Sequence, residues 1–333
     1  MNYGTNNSAN HKINKGKIMG KKLGKKQKRI FIGSVIGTFL LILLALGVNP
    51  EIVSVVSQLT GYTISVNESN TNGKLSTNQQ TTQEIDLDQQ LVIDFIDVGQ
   101  ADSILIRNQN QSMLIDAGKN EDGSKVVNFL QEKGVDQLTY AVGTHPHEDH
   151  IGGLDDVINQ INVENVYMPK ITTNTKTYEE VINAIQKKKL KIKVPHQGEQ
   201  ITIGDAQCEM MTESIENKKN LNLSSIVTRI TFGETSFLMM GDAETENEKS
   251  RRWPQTDVLK VGHHGSTTST SDAFLQQIQP ELAVISVGKN NDYGHPKEAI
   301  IKRLTKMGAE IYRTDEKGTI ELVSDGEKIS VSE

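Results

Sequence analysis

Three histidines and an aspartate stand within six positions in T-H-P-H-E-D-H (144–150), with Gly152 and Gly153 close behind. Neutral imidazoles and carboxylates are donors that divalent transition metals accept. Residues two apart in extended backbone point the same way, so His145 and His147 can grip one ion. Past the turn, Asp149 and His150 can face a second. The two glycines let the backbone pass tightly beneath and begin a helix. A polar surface loop with incidental histidines is the plainer alternative. Against it, five of the eight histidines fall in two clusters, three here and two at His263 and His264.

One loop does not complete a site for two ions, which together need about seven to nine ligands. The run S-F-L-M-M-G-D ends a strand on Gly241-Asp242, where a carboxylate can bridge both ions. V-L-K-V-G-H-H-G-S (258–266) ends another strand on His263 and His264, and Asp116 closes L-I-D-A-G, from where it can anchor the histidine loop. Two ions held in this way would activate water for hydrolysis.

The elements that must position these residues are short and alternate. Apolar runs of strand length occupy 91–97, 103–107, 112–116 and 138–144, the last delivering His145, with a helix expected at 123–133. Two hairpins are expected next: K-I-K-V with I-T-I around Gly198, and S-I-V-T-R-I-T-F with S-F-L-M-M around G-E-T. Further strands are expected near 257–262, 282–287, 310–313 and 318–323, and helices at 271–278 and 296–307. Strand-rich halves with interspersed helices predict two sheets packed face to face with helices outside, an α/β sandwich in one domain over 91–333.

The 333 residues are 35% hydrophobic and 23% charged, with one cysteine, Cys208, which excludes an intramolecular disulfide and a Cys-rich zinc module. Residues 1–29 carry eight Lys and one Arg and no acid; the whole chain carries −6 and this tail +9, which leaves −15 for the rest. An uncharged run of 19 residues follows at 30–48. At about 1.5 Å per residue it spans roughly a bilayer core, and the basic block predicts a cytoplasmic N-terminus. The reading is a basic tail (1–29), a single transmembrane anchor (30–48), a largely disordered Asn/Ser/Thr/Gln-rich linker (49–90) and an outer domain beyond the cell membrane. A cleaved signal peptide, giving a secreted protein, is the competing reading, because A-L-G (45–47) has a small-x-small pattern.

The motifs T-H-P-H-E-D-H-I-G-G, strand-G-D and strand-G-H-H-G-S, in this order, resemble the metallo-β-lactamase fold, a four-layer αββα sandwich with metals at the sheet edges. More narrowly, D-V-G-Q-A-D-S, L-I-D-A-G, K-V-G-H-H-G-S and N-D-Y-G-H-P resemble the extracellular hydrolase domain of the ComEC family of competence proteins. The resemblance implies His145, His147, Asp149, His150 and Asp242 as metal ligands, with one of His263 and His264 as the late ligand and the other facing substrate. Extended backbone would turn the two apart, and Gly262-His263 leans the choice to His263 as ligand and His264 as catalytic. Asp102 sits where the family has the acid of G-Q-G-D. The superfamily's further histidine is missing: His196 alone falls in that interval, and N-L-S-S (222–225), ending on Ser225, stands in the corresponding stretch. Ser225 and Ser266 are hydroxyls expected behind the ligands or facing substrate. His295, before a helix, can meet a phosphate.

The expected cofactors are two divalent ions, zinc or manganese. The resemblance implies metal-assisted phosphodiester hydrolysis with single-stranded DNA at the cell surface as substrate, Asp149 orienting the nucleophile. A −15 outer part is a poor clamp for a polyanion. That keeps open a small or envelope-bound ester (a phosphorylated wall polymer, lactone or thioester) and a non-enzymatic surface DNA-binding module.

Overall fold

In the computed structural model, residues 85–212 and 217–332 are described. The basic tail, the 30–48 anchor and most of the 49–90 linker lie outside the described residues; among the described residues, no helix is long and apolar enough to cross a membrane.

The chain lays β1 (Leu91–Phe95), β2 (Ile104–Asn108), β3 (Gln111–Ile115), β4 (Gln137–Val142), β5 (Asn162–Tyr167) and β6 (Ile192–Lys193) into a first sheet. It then builds a second sheet from β7 (Gln200–Ile203), β8 (Ala206–Met210), β9 (Thr228–Phe232), β10 (Thr235–Met239), β11 (Val258–Lys260), β12 (Leu282–Ile285) and β13 (Glu310–Arg313). Finally it returns to the first with β14 (Ile320–Ser324) and β15 (Ile329–Ser332). The first sheet runs β15-β14-β1-β2-β3-β4-β5-β6, and the second runs β13-β12-β11-β10-β9-β8-β7.

Period-two alternation explains the layers. Ile104, Ile106, Met113 and Ile115 point into a cluster that also takes Phe237, Met239, Cys208 and Met210 from the second sheet. Leu105 and Leu114, on the opposite face, meet α1 (Gly123–Glu132), α2 (Glu148–Ile151), α3 (Leu154–Gln160) and α4 (Lys176–Lys187) through Val127, Ile151, Leu154 and Val181. Leu238 and Leu259 turn outward in the second sheet. They pack on Phe274, Leu275, Ile300 and Leu304, beyond the short α5 (Thr245–Lys249), from α6 (Asp272–Ile278) and α7 (Glu298–Met307). Three apolar layers between four structural ones make the αββα sandwich. The central strands β1, β2, β10 and β11 are buried on both faces, which is why their runs read as continuously apolar, whereas the edge strands β6, β7, β13 and β15 are partly exposed.

One expected hairpin is not formed. Ile192–Lys193 pairs in parallel with β5 at the edge of the first sheet, whereas Gln200–Ile203 pairs antiparallel with β8 in the second. Ile192 packs on the helical side of its sheet and Ile201 on the inter-sheet layer, so the two segments serve different cores. Gly198, at φ 81°, lies in the crossing between sheets. The true partner of I-T-I is A-Q-C-E-M, whose Ala206, Cys208 and Met210 are fully buried, joined by Gly204-Asp205. That two-residue Gly-Asp turn between alternating runs was the available signal. The other expected hairpin forms, with Thr228–Phe232 against Thr235–Met239. β15 was not anticipated.

A buried ionic cluster ties β1, β2, β14 and α1 together. Asp94, fully buried, receives Arg107 Nη2 at 2.9 Å and Lys133 Nζ at 3.0 Å, and Lys133 also reaches Glu321 at 2.5 Å. Burial raises the Asp94 carboxyl, and the two cations oppose that. Replacing Arg107 with Met strands part of a desolvated carboxylate, so a loss of about 3 kcal/mol is expected in urea unfolding. A loss under about 0.5 kcal/mol would show that Lys133 alone compensates Asp94.

Candidate metal centre

Parallel pairing decides where the polar loops meet. β3 runs parallel to β4, β10 to β11, and β11 to β12, so within each sheet their C-terminal ends share one edge. From those ends project Asp116, the 144–150 loop, Asp242, the His263–His264 turn and the 286–295 loop. Asp102 arrives from the β1–β2 connection, its amide donating to Asp149 O at 3.0 Å.

Backbone packing forms the histidine loop. Ala117 N donates to His150 O at 2.7 Å and Gly118 N to Asp102 O at 2.8 Å. A Cβ on Gly152 would stand 2.2 Å from Asn120 N, and one on Gly153 2.4 Å from Ala117 O, so only glycine fits beneath the loop.

The donor atoms converge. His145 Nε2 and His147 Nδ1 stand 3.0 Å apart, and His145 Nε2 is 3.8 Å from Asp242 Oδ2. His150 Nε2 is 3.2 Å from Asp242 Oδ1, and His264 Nε2 is 3.6 Å from both Asp242 Oδ1 and Asp149 Oδ2. Four donors at tetrahedral angles and about 2.0–2.1 Å from an ion lie about 3.4 Å from one another, the scale of these separations. Four groupings result; two, His145–His147–Asp242 and Asp149–His150–His264, face the cleft with Asp242 near both, and Asp102–Asp242–His264 and Asp102–Asp116–His150 lie behind them.

The Nδ1 atoms of His150, His264 and His145 are tied behind the site. His150 Nδ1 meets Asp116 Oδ2 at 2.7 Å, and Asp116 also accepts Thr144 N at 2.8 Å and Thr144 Oγ1 at 2.7 Å. His264 Nδ1 lies 2.9 Å from Ser286 O and 3.4 Å from Asp102 Oδ1. His145 Nδ1 lies 3.2 Å from Thr144 Oγ1 and 3.5 Å from Ser225 Oγ. A nitrogen held this way leaves the other free to ligate. His150 Nε2, His264 Nε2 and Asp242 Oδ1 are buried with no hydrogen-bond partner, a costly arrangement for polar atoms. Their chemistry and spacing fit divalent ions.

Electrostatics agrees. Burial opposes charge on His264, yet Asp242 and Asp102 push it up to about 10; burial likewise opposes charge on His150, and Asp242 and Asp116 lift it well above the usual range. Burial lowers His145, helped by the neighbouring His150 charge, and lowers His147. Asp242 is held well below its usual range: burial works against this, and His150 and His264 outweigh it. Without metal, protons on two imidazoles balance the carboxylates, and loading must displace them.

The His263–His264 turn departs from expectation. Both residues are left-handed, at φ 49° and 51°, rather than extended. The flanking Gly262 and Gly265 are buried; a Cβ on Gly262 would stand 3.0 Å from Ala243 O and one on Gly265 2.6 Å from Pro296 Cβ. His264 is thereby turned inward and buried, while His263 is partly exposed on the cleft, bonded to Thr268 Oγ1 at 2.9 Å and 3.5 Å from Glu244. His264 Nε2 falls within the donor groupings, whereas His263 Nε2, although 3.6 Å from Asp242 Oδ2, falls in none of them.

Ser225 lies fully buried behind the site, accepting from Asp242 N at 3.2 Å, so it does not face substrate. Ser266 bonds Thr268 beside His263. His295 stands at the cleft rim with its ring 6.0 Å from His263; burial and the charges of His264 and His263 push it down to about 4, leaving it neutral at pH 7. His196 pairs with Glu199 in the crossing between sheets and belongs to no donor set. Sequence reading missed Lys260, which is fully buried with Nζ 2.8 Å from Asp102 Oδ2 and 2.9 Å from Val261 O. A lysine inside V-L-K-V was the signal, because such a position demands a buried partner.

A two-sheet sandwich with a His/Asp centre for two divalent ions on its strand ends defines a metal-dependent hydrolase. The chain belongs to the metallo-β-lactamase superfamily, whose family model matches residues 96–289. It is 34% identical over 251 residues to ComE operon protein 3 of Bacillus subtilis, covering 69% of this chain and 32% of that protein. It is 30% identical to recombination protein 2 of Haemophilus influenzae (68% and 28%) and 30% identical to competence protein ComA of Neisseria gonorrhoeae (68% and 31%). The match spans about a third of the length of these relatives.

Proposed function

We propose that the chain is a membrane-anchored phosphodiesterase that faces the outside of the cell and cleaves DNA there. The observation that carries the chemistry is the set of buried, unpartnered donor atoms aimed into an open cleft of about 770 Å³. Bound there, two divalent ions supply Lewis acidity, acidifying a water and neutralising charge on the scissile ester. His145, His147 and Asp242 would hold one; Asp149, His150 and His264 would hold the other. Zinc and manganese both suit this donor set. Asp116, Thr144, Asp102 and the Ser286 carbonyl orient the imidazoles, and Lys260 balances the charge on Asp102. His263, facing the cleft, is the group that meets the leaving oxygen. Asp149, partly exposed, orients the attacking water.

Relatives named for competence and recombination favour DNA as the phosphodiester. The charge of the cleft supports a second reading, a small or envelope-bound ester, because Lys119 stands there beside Glu121 and Glu148. The deciding assay offers the purified, metal-analysed chain a single-stranded oligonucleotide, bis(p-nitrophenyl) phosphate and a lactone. Cleavage of both phosphodiesters is expected; turnover of the lactone alone would establish the second reading.

The outward topology rests on nine basic residues before an uncharged run of 19. Protease added to intact cells is expected to remove a C-terminal epitope and spare an N-terminal one. Protection of both would reject this topology.

A further inference from the structure

Among the described residues, Tyr293 is the most exposed large apolar side chain, at 63%, and it lines the metal cleft. Exposure of a large ring is ordinary on a surface but calls for a reason at a catalytic mouth. Its ring lies 5.7 Å from that of His295 and within 21° of parallel; His295 in turn lies 6.0 Å from His263, whose Nε2 is 3.6 Å from Asp242. Three flat rings therefore lead outward from the metal centre.

The loop that presents Tyr293 is fixed. Asn291 Oδ1 accepts from His295 N at 2.9 Å, and its Nδ2 donates to Gly288 O at 2.9 Å and His295 O at 2.7 Å. Gly288 N donates to Gln100 Oε1 at 3.1 Å, tying the loop to the β1–β2 connection. The backbone that carries the ring is thus held in place before any substrate arrives, which lowers the ordering cost of binding.

We propose that Tyr293, backed by His295, is a stacking platform for an unpaired nucleobase next to the scissile phosphodiester. The inference rests on the phosphodiesterase reading above and deepens it. Duplex binding draws on many phosphate contacts from basic side chains, and in this cleft Lys119 stands with Glu121 and Glu148. Stacking needs no such charge, since every base has a π-face and pairing hides it. An acidic domain can therefore select single strands by their bases.

The test compares pentathymidylate with an abasic pentamer carrying the same phosphates, using the full chain with its metals and its Tyr293→Ala and Tyr293→Phe variants. The wild type should show a KM about ten-fold lower for the base-bearing strand, within the range one stacked base contributes. Tyr293→Ala should erase that ratio and Tyr293→Phe keep it. For the wild type, KM should vary with salt with a log–log slope near 1, matching one or two phosphate contacts. Equal KM values for both strands in the wild type, or a ratio that survives Tyr293→Ala, overturns the platform while turnover itself upholds phosphodiester cleavage. If a glycerol-phosphate oligomer takes the place of the base-bearing strand as the Tyr293-dependent substrate, the platform serves a wall polymer and the proposal falls. Cleavage of neither strand rejects the phosphodiesterase reading; anisotropy titrations of the same two strands then decide the platform by the same ratio.

Discussion

An Asp242→Ala protein is expected to hold no more than one ion and to turn over at under about a thousandth of the wild-type rate, a barrier increase of about 4 kcal/mol. Asp242 is the acid within reach of both donor sets, with Oδ1 3.2 Å from His150 Nε2 and 3.6 Å from His264 Nε2, and Oδ2 3.8 Å from His145 Nε2. Its carboxylate cannot be replaced by a neighbour, because it reaches the centre from the end of β10, on the sheet opposite His145 and His150. Gly241, at φ 51°, makes that approach; a Cβ there would press on Thr144 at 3.1 Å. Elemental analysis beside turnover checks the expectation, and far-ultraviolet circular dichroism confirms folding. Two retained ions with low turnover would make Asp242 a substrate contact rather than a ligand.

The second large effect separates the two late histidines. His264→Ala should lower metal content from two ions per chain toward one, with turnover falling by about three orders of magnitude. The ring is buried, its Nδ1 is engaged by the Ser286 carbonyl and its Nε2 has no partner but the donor set. His263→Ala should keep both ions and lose about 10²- to 10³-fold in kcat, within the range for a positioned general acid. Its ring already has Thr268, and part of it faces solvent. Equal metal loss in the two variants would refute the assignment; so would loss confined to His263→Ala.

The sequence carried the ligand loops openly because each follows an apolar strand, and parallel pairing then gathers the strand ends at one edge. The four layers were readable for the same reason: Leu105 beside Ile104 and Ile106 already shows two apolar faces. What stayed hidden depended on backbone handedness and on which core a short segment serves. His263 and His264 adopt left-handed conformations that histidine seldom takes, so an extended reading did not give the directions of the two rings. Ile192 and Ile201 look alike in sequence, yet they pack on opposite sides of different sheets. Lys260 was overlooked because its partner, Asp102, lies far away in sequence and meets it only through the stacking of the two sheets.

The first sheet is not finished until β14 and β15 have been added. β14 sits between β15 and β1, with Ile93 against Leu322 and Phe95 against Ile320. A ribosome must therefore release more than two hundred further residues after β1 before that strand finds its partner on this side. Until then β1 exposes an unpaired edge with Leu91, Ile93 and Phe95 uncovered, a template for association with other chains. Contacts this distant in sequence also slow folding. Production of this domain should therefore depend strongly on synthesis rate, temperature and chaperone supply, and trimming the last two strands should yield aggregate rather than a smaller domain.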